Sequence, residues 1–401
     1  MSRRIGIVTC SRSDAGIYLP LLRAIQEDPA LALDIVATGM HLSPEFGLTV
    51  RQIEEAGFTV RERVESLLSS DTPEGIGKSM GMGVVGFAQL FTRWRPDLLV
   101  VLGDRFDMYP AALAALPFRI PVAHLHGGEV TEGAIDDALR HALTKLSHLH
   151  FVSTEISARR VRQMGEEPWR VVVSGALGLD HLHTIKRLSA AQLQARYGVR
   201  LEASPLLVTF HPVTLEYEQT EWQTRELLEA LAASALPVIF TMPNADTNGR
   251  VVLSLLKRFV AKHPIAQLIS NLGTEGYFSV MALAAAMVGN SSSGLVEAPS
   301  FGLPVVNVGT RQQGRVRAEN VIDVGYRREE ILRGIQQAVQ PAFRAQLRNR
   351  ANPYGDGHAA QVIVKHLKEI PLDDRLIRKR FVDAAEPLAD CATLRVAAAL
   401  P

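Results

Sequence analysis

Short, uninterrupted apolar runs recur along the chain with amphipathic stretches between them, and few folds accommodate that pattern. Ile5 to Thr9, Leu33 to Gly39 and Phe58 to Val64 read as the first three strands, with a helix over Tyr18 to Glu27. A glycine- and methionine-rich stretch, Gly75 to Gly86, precedes a helix over Phe87 to Trp94. PDLLVVLGD, IPVAHLHGGE and LHFVSTE follow as strands separated by helical segments, and VVVSGALGLD closes the unit near Asp180. LSAAQLQARYGV forms a helix at the joint. A second alternation then runs through LLVTFHP, LPVIFTMPN, AQLIS, AAAMVGN and PVVNVGT, with helices around Leu227 to Leu231 and Val251 to His263. Continuous apolar strands alternating with helices indicate parallel sheets covered on both faces, the doubly wound α/β class. The boundaries are a first domain at 1–180, a second at 181–357, and 358–401 as a helix crossing back toward the first domain plus a tail. From about Ala384 the tail is alanine-rich and reads as frayed or weakly helical.

At 401 residues the chain exceeds one average domain, which agrees with two sheets. A net charge of +1 gives no reason to expect nucleic acid as a partner. Two cysteines, Cys10 and Cys391, cannot build a disulfide framework and fit a reducing compartment. The opening MSRRIGIVTC resembles a signal peptide, but its apolar run stops at Ser11 and reads better as a strand. No run approaches the roughly 18 apolar residues of a membrane span. A cytoplasmic enzyme without membrane contact is the expectation.

Two such sheets in tandem direct the carboxyl ends of their strands toward one cleft, where ligands of these folds bind. The polar motifs all fall just after strands. Arg12 and Gly16 follow the first strand, the one a permanent charge for a pyrophosphate, the other allowing close backbone approach. Asp104, Arg105 and Asp107 follow the buried run ending at Leu102. His124, His126, Gly127, Gly128 and Glu129 come next, with strand alternation placing both histidines on one face. Asp136 and Arg140, like Asp137 and His141, stand at helical i,i+4 spacing, and the latter pair suits an ordinary surface contact. His211 follows the first strand of the second domain, and Asn244 follows the next, as a ligand contact or a helix cap. Two histidines and a glutamate would permit a metal, but no cysteine ligand or HExxH helix accompanies them, so no metal or cofactor is expected.

The segment GNSSSGLVEAPSFGLPVVNVGTRQQG, from Gly289 to Gly314, carries the densest pattern. Ser291, Ser292 and Ser293 open what reads as a helix through Ala298, and a helix start with small hydroxyls suits a phosphate. Glu297 would lie on that helix, where a carboxylate suits a ribose diol, and Arg311 follows the next strand. A serine-capped ordinary helix is the alternative for this string alone. Carboxylates and histidines facing a sugar suit proton removal and return, and arginines beside a pyrophosphate suit leaving-group stabilisation.

Taken with ATGMHLSPEFG, LGDRFD, HGGEVTEGAIDDALRHALTKLSHLHF, FHPVT and NPYGDG, these motifs resemble the UDP-N-acetylglucosamine 2-epimerases, in their hydrolysing branch from sialic-acid-type sugar biosynthesis. The resemblance spans roughly Ile5 to Ile370. It implies the GT-B architecture, two Rossmann-like domains around a central cleft, and a two-step reaction that needs neither nicotinamide nor metal. A base takes the C2 proton as UDP leaves C1, giving a glycal; water then adds at C1 and a proton returns to C2 on the other face. The products would be UDP and an N-acetylmannosamine-type sugar. The resemblance carries catalytic roles to Asp104, Asp136 and His211. It carries UDP contacts to Arg12, Ser291, Ser292, Glu297 and Arg311, with Arg105 in the same pocket. This chain has HGGE where some branches have EGGE, so either His126 or Glu129 would take the place of the catalytic glutamate. A homodimer or larger homo-oligomer is the family's common assembly. The alternatives are the same chemistry on UDP-N,N'-diacetylbacillosamine, on a legionaminic-acid route, a GT-B glycosyltransferase, a non-catalytic nucleotide-sugar sensor, or a non-hydrolysing epimerase.

Overall fold

A computed structural model of the chain describes residues 2–70, 72–131, 135–201, 203–243, 248–347 and 350–383. The first domain has strands β1 (Arg3–Thr9), β2 (Leu31–Thr38), β3 (Val60–Val64), β4 (Leu98–Leu102), β5 (Val122–Leu125), β6 (Leu149–Val152) and β7 (Val171–Val173). Helices α1 (Arg12–Glu27), α2 (Val50–Glu55), α3 (Pro73–Arg93), α4 (Tyr109–Ala115), α5 (Asp136–Leu146) and α6 (Glu155–Gln163) connect them. The seven strands lie in the order β3-β2-β1-β4-β5-β6-β7, and their pairings are all parallel. Strand alternation divides the core between two faces. Ile5 and Ile7 pack with Leu21 and Ile25 of α1, whereas Val8, Leu99 and Val101 pack with Phe87, Leu90 and Phe91 of α3.

Two short helices, α7 (His181–Thr184) and α8 (Ala190–Tyr197), lead into the second domain. Its strands are β8 (Leu206–Thr209), β9 (Val238–Thr241), β10 (Ala266–Ile269), β11 (Ala286–Gly289), β12 (Val305–Val308) and β13 (Val321–Val324). The interleaved helices are α9 (Thr220–Ser234), α10 (Gly249–Lys262), α11 (Gly273–Leu283) and α12 (Ser293–Val296), followed by α13 (Arg328–Ala338) and α14 (Pro341–Gln346). These six strands are also parallel, in the order β10-β9-β8-β11-β12-β13. Strand order reverses between β1 and β4 in one sheet and between β8 and β11 in the other. A crevice opens at such a switch point, beyond the carboxyl ends of the strands.

The last described helices, α15 (Ala359–Glu369) and α16 (Asp374–Ile377), return to the first domain. Ile363, Val364 and Leu367 of α15 enter the same core as Ile5 and Leu21. Asp180 fixes the start of α15, its two carboxylate oxygens accepting from the amides of Ala359 at 2.9 Å and Ala360 at 2.7 Å. Arg170, fully buried, donates to the carbonyls of Leu376 at 2.8 Å and Arg375 at 2.7 Å and so ties down α16. Replacing Asp180 by Ala strands two amides at a buried helix start. A loss of about 2 kcal/mol is expected, visible as a lower midpoint in thermal unfolding followed by circular dichroism.

Two elements differ from the reading of the sequence. The glycine-rich stretch is not a prelude to a helix; it is the first half of α3. A methyl at Gly83 would meet Pro110 of α4 at 2.9 Å, and one at Gly86 would meet Val64 at 2.6 Å. Close packing thus overrides the helix-weakening effect of glycine there. The helix after the serines is one turn, Ser293–Val296, with Glu297 at its C-terminal cap instead of inside it. So short a helix has little dipole, and an anion there would rely on individual donors.

Candidate active site

The two switch points face one cleft of about 640 Å³ between the domains. Arg12, Gly16, Asp104, Arg105 and Asp136 line it from the first domain, and His211, Ser291, Ser292, Ser293, Glu297 and Arg311 from the second. Asn244 lies outside the described residues. His126 and Glu129 are not among the residues that line this cleft, although Glu129 lies 3.4 Å from Arg315, which does.

Each lining group is positioned by its own strand end. Beyond β1, Asp14 accepts from the amides of Cys10 at 2.7 Å and Ser11 at 2.9 Å, closing the turn that carries Arg12. Behind that turn, Thr9 Oγ1 lies 2.9 Å from His41 Nε2, whose Nδ1 lies 2.8 Å from Thr49 Oγ1. Beyond β4, Asp107 accepts from Arg105 Nε at 2.9 Å and from its NH2 at 3.3 Å, aiming the guanidinium into the cleft. Asp104 is bonded through Oδ2 to Arg140. Arg140 is therefore no surface residue: it is 2% exposed, and burial together with Arg315 and Arg311 presses its charge downward. Asp137 and His141 do form their helical contact, at 3.5 Å.

The second domain is organised by Asn290, which is fully buried and directly follows β11. Its side chain accepts from the His211 amide at 2.7 Å and donates to the His211 carbonyl at 2.8 Å. Its own carbonyl accepts from Arg311 at 3.2 Å and Gln312 at 2.8 Å. One asparagine thereby holds the backbone beneath the histidine and a guanidinium beyond the neighbouring strand, β12. Gly289 permits this close approach: at φ +130° a side chain would run into the Thr209 carbonyl.

The charges are tuned unevenly. Burial and then Arg311 hold His211 well below the usual histidine range, so its ring is neutral near pH 7. Burial pushes Glu297 up to about 7, and the nearby Glu129 adds to the shift. Tyr277, on α11 beside Ser291 and Ser293, is pushed up to about 12, mainly by burial, so its phenol stays protonated near pH 7.

The HGGE turn resolves into a packed support. His124 lies within β5, fully buried, donating from Nε2 to the Gly103 carbonyl at 2.7 Å, and burial lowers its pKa to about 3. His126 lies past the strand end at φ +62°. Its Nε2 accepts from the Leu177 amide at 3.3 Å, which leaves the ring proton on Nδ1, 3.8 Å from Glu129. Glu129 accepts from Ser153 Oγ at 2.8 Å and lies 3.4 Å from Arg315.

Two strand-end crevices thus present carboxylates on one side and serines with arginines on the other, and the sequence that builds them matches a family model. That model, UDP-N-acetylglucosamine 2-epimerase, covers residues 23–368 of the chain. The chain belongs to this family. It is an enzyme of the 2-epimerase class with the GT-B fold. The chain is 41% identical over 323 residues to the GDP/UDP-N,N'-diacetylbacillosamine 2-epimerase (hydrolyzing) of Campylobacter jejuni, covering 80% of this chain and 84% of that protein. It is 36% identical over 380 residues to the UDP-N,N'-diacetylbacillosamine 2-epimerase (hydrolyzing) of Legionella pneumophila, covering 94% of this chain and 99% of that one. A crystal structure of UDP-GlcNAc 2-epimerase from Neisseria meningitidis bound to UDP-GlcNAc superposes with a TM-score of 0.78, covering 91% of this chain and 99% of that chain. At 21% identity the latter is a likeness of fold.

Within this epimerase fold, sequence reasoning missed Asn290, Tyr277 and Arg315. Asn290 carries the clearest signal, an amide side chain directly after an apolar strand. Tyr277 and Arg315 carry none, because both act on residues far away in the chain.

Proposed function

We propose that the protein is a hydrolysing 2-epimerase, which converts a UDP-linked 2-acetamido sugar to UDP and the free 2-epimer. The observation that carries this reading is the placing of Asp104, Asp136 and His211 in one cleft with Ser291, Ser292, Arg311 and Arg12. In the first step a carboxylate takes the C2 proton and the C1–O bond to UDP breaks, leaving a glycal. In the second, water adds its hydroxyl at C1 and a proton is delivered to C2 on the opposite face, so that atoms balance as sugar nucleotide plus water. The arginines and serines stabilise the departing diphosphate. Asp104, fixed by Arg140, and Asp136 stand on the sugar side, and His211 presents a neutral ring suited to hydrogen bonding with the substrate. His126 and Glu129 support the wall and do not exchange protons with substrate in this reading. The chain works in the cytoplasm as a homo-oligomer, on a route to nonulosonic acids.

Family membership favours epimerisation over glycosyl transfer. Two substrates remain, UDP-N-acetylglucosamine and UDP-N,N'-diacetylbacillosamine. The names of the two relatives at 41% and 36% identity favour the diacetamido sugar. Turnover of both followed by NMR separates them: the preferred substrate gives free UDP and a free 2-epimer at the higher kcat/KM. A UDP-linked epimer, or release of UDP only when an acceptor alcohol is added and takes up the sugar, would overturn the proposal.

In the same reading Glu297 accepts from the ribose diol, which requires its ionised form. Its pKa of about 7 means that lowering the pH neutralises it within the working range. Affinity of an Asp104→Asn variant for a UDP-sugar should rise about ten-fold between about pH 6 and pH 8. Glu297→Gln should bind weakly and with a flat pH profile, as titration calorimetry would show.

A further inference from the structure

Two arginines from different domains meet at the end of the HGGE loop. Arg140 of α5 donates from NH1 to the Glu129 carbonyl at 3.0 Å and from NH1 and NH2 to Thr131 Oγ1, each at 3.1 Å. Its NH2 also binds Asp104. Arg315, beyond β12 in the second domain, donates from Nε to the Val130 carbonyl at 3.2 Å and from NH2 to the same Thr131 oxygen at 3.2 Å. Its NH1 lies 3.4 Å from Glu129 Oε2. Every hydrogen bond and ion pair described for the Arg315 side chain thus crosses to residues 129–131 of the first domain.

Like charges that share one hydroxyl repel unless anions surround them. Here Glu129 offsets Arg315, while Asp104 and Asp137, the latter 3.6 Å from Arg140, offset Arg140. Glu129 is itself pinned by Ser153 at 2.8 Å. The result is a continuous chain of contacts from the second domain, through Arg315 and Thr131, to Arg140 and Asp104. Opening the cleft would withdraw Arg315 and free the segment that orients Arg140.

We infer that Arg315 is a positioning residue: closure of the second domain on the first seats its guanidinium on Glu129 to Thr131, and this sets Arg140 and the Asp104 carboxylate for proton transfer. The inference rests on the catalytic reading of Asp104. In the proposed function uridine diphosphate is held by other side chains, so the effect falls on turnover and not on binding.

The test uses the full chain with Arg315→Gln, Arg315→Lys, Thr131→Val and the Arg315→Gln/Thr131→Val pair, measuring kcat, KM, UDP affinity and melting temperature. Arg315→Gln should lower kcat about 100-fold, the loss expected when a reacting group is misplaced by about 1 Å. KM and UDP affinity should stay within about three-fold. Arg315→Lys should not recover turnover, because one ammonium cannot serve three acceptors in a fixed fork. The double variant should lose no more than the worse single one, as for two links of one chain. A loss of UDP affinity at unchanged kcat would make Arg315 a phosphate contact and overturn the proposal, as would unchanged kcat, recovery by lysine or additive losses. Should Arg315→Gln melt early, Arg315→Lys and Thr131→Val carry the same kcat test. An active Asp104→Asn variant would remove the catalytic reading instead, whatever Arg315 does.

Discussion

Replacing Asp104 by Asn is expected to lower kcat by about three orders of magnitude, within the range for loss of a positioned acid–base group. Affinity for UDP should change by less than about three-fold. The asparagine carbonyl still accepts from Arg140, so the shape of the cleft is retained while the proton acceptor is gone. Ser291, Ser292 and Arg311, the groups proposed to face the diphosphate, come from the other domain and are untouched. Steady-state release of UDP gives kcat, and titration calorimetry gives the affinity. Equal losses in both would mean that Asp104 shapes the cleft, and retained turnover would remove it from the chemistry.

Arg311→Gln should have the opposite signature. A guanidinium donating to a phosphate makes charge-assisted hydrogen bonds worth about 3 kcal/mol, so UDP affinity should fall about 100-fold. Two side effects follow from the geometry. The Asn290 carbonyl loses its donor at 3.2 Å but keeps Gln312 at 2.8 Å, so the fold should hold. His211, held down partly by the Arg311 charge, should titrate higher than in the parent chain. Calorimetry with UDP and NMR titration of the His211 ring check both parts. An Arg311→Gln variant that binds UDP normally would place the diphosphate elsewhere.

Both sheets were legible because most of the strands are short, largely apolar runs, and because the first polar residues after a strand lie at the end of the sheet. That is how Asp104, His211 and the serines could be named from sequence. What escaped was tertiary. The helical half of α3 from Pro73 to Gly86 is written in residues that weaken isolated helices, and it forms because Gly83 and Gly86 admit Pro110 and Val64. Strand β13, paired in parallel with β12, has a half-exposed VIDV pattern too weak to distinguish from a loop. Arg140 stood out only as half of a helical spacing, whereas its partner Asp104 lies 36 positions away. His126 and Glu129 are held by Leu177, Ser153 and Arg315, none of which periodicity links to the HGGE turn.

The most direct measurement is turnover of the preferred UDP-sugar in heavy water, with the released products analysed by NMR. Proton removal at C2 with loss of UDP requires free UDP, a free 2-epimer and one solvent deuterium at C2 in every product molecule. Product carrying the original hydrogen at C2 would contradict elimination through a glycal in this cleft, and an epimer still joined to UDP would contradict the addition of water at C1.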